Sequence, residues 1–241
     1  MRVGSVEEGD EFGRVLASGE FLGSYYTQYP KLAVGVPYKT INDKKRAGAV
    51  YLIHADKGGL LEQGYHFIHQ DLAELDESAE ENDQFGFSLS IDHFGQDYQS
   101  VRTQDLAIGV PFEDRGVGGT ERIDMGVVHV LFGRYSLNYN SYPFLNETIR
   151  LDRRNPEILG EANHVDYFGY SLTSGRVMEG SEPHHRQLVV GAMYSTVNDQ
   201  VMRGAVQIFG FGTSLRAILP NLQRLIENPD DSFGFGGNLS K

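Results

Sequence analysis

The stretch that decides the fold runs from 83 to 132 and reads DQFGFSLSIDHFGQDYQSVRTQDLAIGVPFEDRGVGGTERIDMGVVHVLF. Three blocks stand out in it: Asp83-Gln84-Phe85-Gly86, the apolar run DLAIGVPF at 105–112, and MGVVHVLF at 125–132. The same blocks recur in the same order on both sides. Upstream lie DEFG at 10–13, KLAVGVPY at 31–38 and AGAVYLI at 47–53; downstream lie DYFG at 166–169, QLVVGAMY at 187–194 and RGAVQIF at 203–209. A further DSFG stands at 231–234. From Phe12 to Gly35 and from Phe168 to Gly191 is 23 residues, against 24 from Phe85 to Gly109. From Gly35 to Gly48 and from Gly191 to Gly204 is 13, against 17 from Gly109 to Gly126. Ordered self-similarity at a near-constant period marks a repeat architecture.

Each block reads as a strand, because it is short, rich in Val, Ile, Leu and Tyr, and bounded by Gly, Pro, Asn and Asp. A fourth strand per unit is expected at Tyr65–Gln70, Asn146–Leu151 and about Ala217–Leu225, the last with a short helix after Pro220 as the alternative. Four strands per unit, with no helical period between units, give small antiparallel sheets that bury their faces only against neighbouring copies. The expected fold is therefore all-β, with β-propeller blades of four antiparallel strands. The repeats fall at 10–82, 83–165 and 166–230, and the start of a fourth at 231–241. In that picture Asp caps the turn entering the first strand. Phe is an apolar wedge between sheets, its Gly permits positive φ, and Pro37 and Pro111 end strands.

Composition narrows the rest. The 241 residues carry 33 acidic and 21 basic side chains, a net charge of −12, which argues against a nucleic-acid partner. No apolar run is long enough for a membrane-spanning helix, so no membrane insertion is expected. No signal peptide is visible at the N-terminus. The absence of cysteine removes disulfides and thiolate chemistry. No Gly-x-Ser-x-Gly elbow, P-loop or dinucleotide fingerprint is present, so no catalytic residue is assigned and a non-enzymatic role is expected. His66 with His69, and His184 with His185, do not have the geometry for one metal on a strand. The acidic segment at 71–83 reads as a solvated connector.

Phe-Gly, then a Gly-x-Pro block, then Gly-Ala-Val resembles the FG-GAP repeat of integrin-α propellers and of many bacterial surface and secreted proteins. The resemblance covers nearly the whole chain. It implies an adhesion or binding module, placed outside the cell or at its surface, with a protein or carbohydrate ligand. It also implies a Ca²⁺ loop between the first and second strands of each unit. Here those loops depart from the pattern. Only repeat 2 keeps several carboxylates, Asp92, Asp97 and Asp105, and the intervening Phe94 breaks their register; Ca²⁺ needs six to eight oxygens.

Topology singles out the loops between second and third strands, at 38–46, 112–124 and 194–202, as candidate ligand contacts. Each begins with an aromatic at one repeat position: Tyr38, Phe112 and Tyr194. The middle loop adds Glu113, Asp114 and Arg115, and packing against the next blade is the competing role for the aromatics. Three blades and one strand are fewer than the four to eight that close a ring. Either the chain is a piece of a longer protein, the preferred reading, or a second copy completes the ring as a homodimer. A hydrolase-associated propeller and an assembly-only subunit are the rival functions.

Overall fold

The structure is a computed structural model and describes residues 7–21, 29–75, 77–94, 103–117, 120–133, 148–159, 164–178, 186–195, 204–211 and 218–227. The start of the fourth repeat, at 231–241, lies outside the described residues.

The second and third blocks of each repeat become strands, whereas Asp-x-Phe-Gly at 10–13 and 83–86 forms the turn that leads into the first strand and only Phe168-Gly169 opens one. The first sheet holds β1 (Val15–Gly19), β2 (Lys31–Val36), β3 (Ala49–Asp56) and β4 (Gly59–Ile68), paired antiparallel in chain order. The second holds β5 (Ser88–Asp92), β6 (Asp105–Val110), β9 (Val127–Leu131) and β10 (Thr148–Leu151), with a small hairpin, β7 (Arg115–Val117) and β8 (Thr120–Arg122), inserted between β6 and β9. The third holds β11 (Phe168–Gly175), β12 (Gln187–Ala192), β13 (Ala205–Phe211) and β14 (Ile218–Glu227). The last segment is a strand rather than a short helix, laddered to β13 from Ala205↔Glu227 to Phe211↔Ile218. The hairpin is regular structure where the sequence implied an irregular loop.

Alternation of side chains along each strand sets the two faces. In the second sheet Leu106, Ile108 and Val110 face the first sheet, joining Ala33, Val50, Leu52 and Ile68 in one core. Ala107, Val128 and Val130 face the third sheet, joining Leu188, Val190 and Phe209 in another. The middle sheet is therefore buried on both faces, which is why β6 and β9 are buried at every position and apolar apart from Asp105 and His129. Each buried Leu, Ile or Val contributes about 1.5–3 kcal/mol to the stack. Strand β1 packs beside β5, and β5 beside β11, so the first strands of the three sheets lie together and the sheets succeed one another as in a propeller.

The Asp-x-Phe-Gly motif is the hand-over between sheets. Phe85 N–H donates to Ala47 O at 2.8 Å and Gln84 N–H to Arg46 O at 3.0 Å. One repeat on, Phe168 N–H donates to Met125 O at 2.9 Å and Tyr167 N–H to Asp124 O at 3.1 Å. The two phenyl rings are fully buried between successive sheets, whereas Phe12 is 42% exposed, since no described sheet precedes its own. The motif aspartate caps backwards: Asp10 Oδ2 accepts the N–H of Glu7, and Asp83 Oδ2 that of Glu80, three residues earlier.

The acidic connector is also not simply solvated. Leu75 and Ala79 are buried, and the Glu77 carboxylate reaches His129 Nε2 at 2.7 Å inside the second sheet. An acidic stretch hides such anchors because composition averages over them. Among the described residues no helix is long and apolar enough to cross a membrane.

Candidate functional site

The ends of β2, β6 and β12 and the starts of β1, β5 and β11 come together at one end of the stack. Tyr38, Phe112 and Tyr194 follow the second strands, and Arg14, Phe87 and Tyr170 follow the motif glycines. The antiparallel ladders bring these two columns side by side: Val15 pairs with Gly35, Ser88 with Gly109, and Phe168 with Ala192.

Their side chains form one continuous row of tilted and edge-on ring contacts across the three sheets. The Arg46 guanidinium lies 5.1 Å from the Tyr38 ring centre, and Arg14 lies 5.7 Å from Tyr38 and 4.8 Å from Phe87. Phe87 meets Phe112 edge-on at 5.5 Å and Tyr170 at 4.8 Å. Phe112 meets Tyr167 at 5.0 Å, and Tyr167 meets Tyr194 at 5.3 Å. Aromatic pairs and guanidinium–ring contacts at these separations contribute about 0.5–1.5 kcal/mol each, enough to order the surface. Tyr194 remains 37% exposed, and Tyr38, Phe112, Phe87, Tyr167 and Tyr170 are half-buried with one side toward solvent.

Charge borders this array. Arg14 is held by Glu11, whose hydrogen bond raises the guanidinium pKa. Burial raises the Tyr167 hydroxyl, with Asp124 nearby adding to it. Asp114 Oδ1 accepts the N–H of Asp124 at 2.8 Å and ties together the two ends of the β7–β8 insertion, whose backbone begins at Arg115. Glu113, by contrast, is only 1% exposed and lies inside the junction between the first two sheets, where Gln70 Nε2 donates to its Oε2 at 2.5 Å. The three loop aromatics were legible in the sequence. The second column, Arg14, Phe87 and Tyr170, was not singled out, although its fixed place after each Phe-Gly was the available signal.

The candidate metal residues are elsewhere. Asp92 and Asp105 face each other across the β5–β6 ladder. Asp92 Oδ1 accepts the N–H of His93, and the buried Asp105 accepts Phe94 N–H at 2.9 Å and Gly133 N–H at 2.8 Å. Asp105 thus pins two loop segments through backbone donors. Asp97 lies outside the described residues. Among the described residues no three His, Asp or Glu side chains converge as a metal site. The chain matches no protein-family model and no curated protein.

Proposed function

We propose that this chain is a non-enzymatic binding or adhesion module of the FG-GAP propeller kind, which recognises a protein or glycan ligand at the aromatic end of its sheet stack. The observation that carries the reading is the array from Tyr38 through Phe87 and Phe112 to Tyr194, continuous across all three repeats. Rings held in place by their neighbours and partly exposed suit apolar surfaces, such as the faces of sugar rings or extended side chains, at little entropic cost. Asp114, Glu11, Arg14 and Arg46 at its border supply polar partners for hydroxyl or amide groups. A role outside the cell or at its surface, as in the resembling proteins, goes with this reading.

The test is a glycan and peptide array followed by titration of the best binder. The chain has no Trp, and Tyr38, Tyr167, Tyr170 and Tyr194 of its 13 Tyr stand in the array, so tyrosine fluorescence compared between wild type and variants follows binding there. Tyr167→Ala and Tyr194→Ala are expected to weaken binding at least tenfold. Tyr29→Ala removes an exposed tyrosine from the opposite end of the first sheet and leaves affinity unchanged. Equal binding by all three variants would contradict the proposal.

A further inference from the structure

The repeats place three polar positions at each hand-over between sheets, and their chemistry differs from one repeat to the next. The residue after Tyr38, Phe112 and Tyr194 is Lys39, Glu113 and Ser195 respectively. In the first repeat Lys39 Nζ lies 3.0 Å from Asp10 Oδ2, acid against base. In the third, Arg153 Nη1 lies 3.3 Å from Asp166 Oδ2 and donates to Ser195 Oγ. Arg153 comes from the chain just past β10, thirteen residues before its motif aspartate, and Gln70 stands at the same offset before Asp83. The second repeat therefore assembles Asp83, Glu113 and the amide of Gln70 where its sisters assemble aspartate with lysine or arginine.

This cluster is dry: Asp83 and Glu113 are 1% exposed and Gln70 is fully buried. With Gln70 Nε2 toward Glu113, Gln70 Oε1 is buried without a hydrogen-bond partner. Turned over, the amide presents Oε1 to Glu113 and accepts the proton of a neutral carboxyl; O–H···O bonds span about 2.5–3.0 Å, which includes the 2.5 Å separation seen here. Two carboxylates cannot both stay ionised in such a place.

We infer that Asp83, Glu113 and Gln70 form a proton-binding site that couples the packing of the first and second sheets to pH. The surrounding charges are Glu80, Asp114 and Lys44 around Asp83, and Glu80, Arg150 and Arg154 around Glu113. Burial is the largest cause and the neighbouring acids add to it; the Glu80 N–H on Asp83, the Gln70 amide on Glu113, and then Lys44 and Arg150 oppose protonation without outweighing it. Glu113 is pushed up to about 9 and Asp83 to about 7. Both folded values lie above those of the unfolded chain, so the folded state holds more protons between about pH 4 and 9 and loses stability as pH rises through that window.

The experiment is urea unfolding of the whole chain at pH 6 to 9.5, wild type beside Glu113→Gln. Per proton held by the folded state alone, the unfolding constant of the wild type rises up to about tenfold per pH unit. Glu113→Gln, which keeps shape and hydrogen bonding without the titration, is expected to flatten that slope and to be the more stable form at pH 9. Glu113→Lys, which copies Lys39, is a second variant with the same expected flattening, and Asp83→Asn serves if neither folds. A slope unchanged by these substitutions would overturn the inference. So would full recovery of the wild type at pH 9 on adding CaCl₂ or KCl, which would make a metal cation, not a proton, the partner of the two acids.

Discussion

Lys39 Nζ and Asp10 Oδ2 lie 3.0 Å apart with side chains only 6% and 5% exposed, an ion pair enclosed by the turn that opens the first sheet. Glu7 also reaches the ammonium at 3.5 Å, and Asp10 takes the Glu7 N–H at 2.8 Å. Removing one partner of an enclosed pair leaves the other charge desolvated, which costs about 3–5 kcal/mol. Lys39→Met is expected to lower stability by that amount in urea unfolding. Adding Asp10→Asn recovers much of the loss, because the amide still accepts the Glu7 N–H. No recovery in the double variant would mean that the lysine stem, not its charge, matters.

Gly48 marks a tight backbone approach between the first two sheets. Its φ is +87°, and a Cβ there would stand 2.3 Å from Phe85 O and 2.4 Å from Phe85 N. Gly9, with φ +90°, has nothing within 4 Å of the same point. Gly9→Ala therefore meets only the left-handed penalty of about 1–2 kcal/mol. Gly48→Ala adds a backbone clash that forces the hand-over apart. The expected result is a Gly48→Ala loss at least twice that of Gly9→Ala, read from urea midpoints; equal losses would place the strain in the turn alone.

On the acid side two histidines of the first sheet contribute. His54 and His66 sit 4.9 Å apart on the first sheet. Burial, then His66 and Lys31, pull His54 down to about 4, and burial and Lys31 also lower His66. An unfolded histidine titrates near 6.5, so the folded chain binds fewer protons between those values. The stability these residues contribute is full above about pH 6.5 and is lost as pH falls toward 4. His54→Gln is expected to shrink the drop in urea midpoint between pH 7 and pH 4.5. An unchanged drop would assign acid sensitivity to other groups.

The repeat blocks made the sheets legible, down to Pro37 and Pro111 closing β2 and β6 at Val36 and Val110. They did so because the same contacts recur at both described junctions: Gly35 and Gly109 face the backbone of the next motif glycine, and Gly48 and Gly126 that of the next motif phenylalanine, and such contacts leave fixed spacings. The column Tyr38, Phe112 and Tyr194 was visible for the same reason. What escaped was chemistry that varies within a column. Lys39, Glu113 and Ser195 share no residue type, and Gln70 and Arg153 lie in different sheets from the residues they serve. Glu77 was hidden in an acidic run, and its burial depends on His129, fifty-two positions away.

The motif phenylalanine is the wedge that seats a sheet on the preceding one. Phe85 and Phe168 are fully buried at such junctions, while Phe12, 42% exposed with its ring 5.7 Å from Tyr51, has no described sheet before it. The most direct measurement is urea unfolding of three variants, Phe12→Ala, Phe85→Ala and Phe168→Ala. Losses of about 3–5 kcal/mol are expected at the two inner positions and of about 1 kcal/mol or less at Phe12. Equal losses at all three positions would contradict it, because the phenylalanine would then stabilise its own turn and not the joint between sheets.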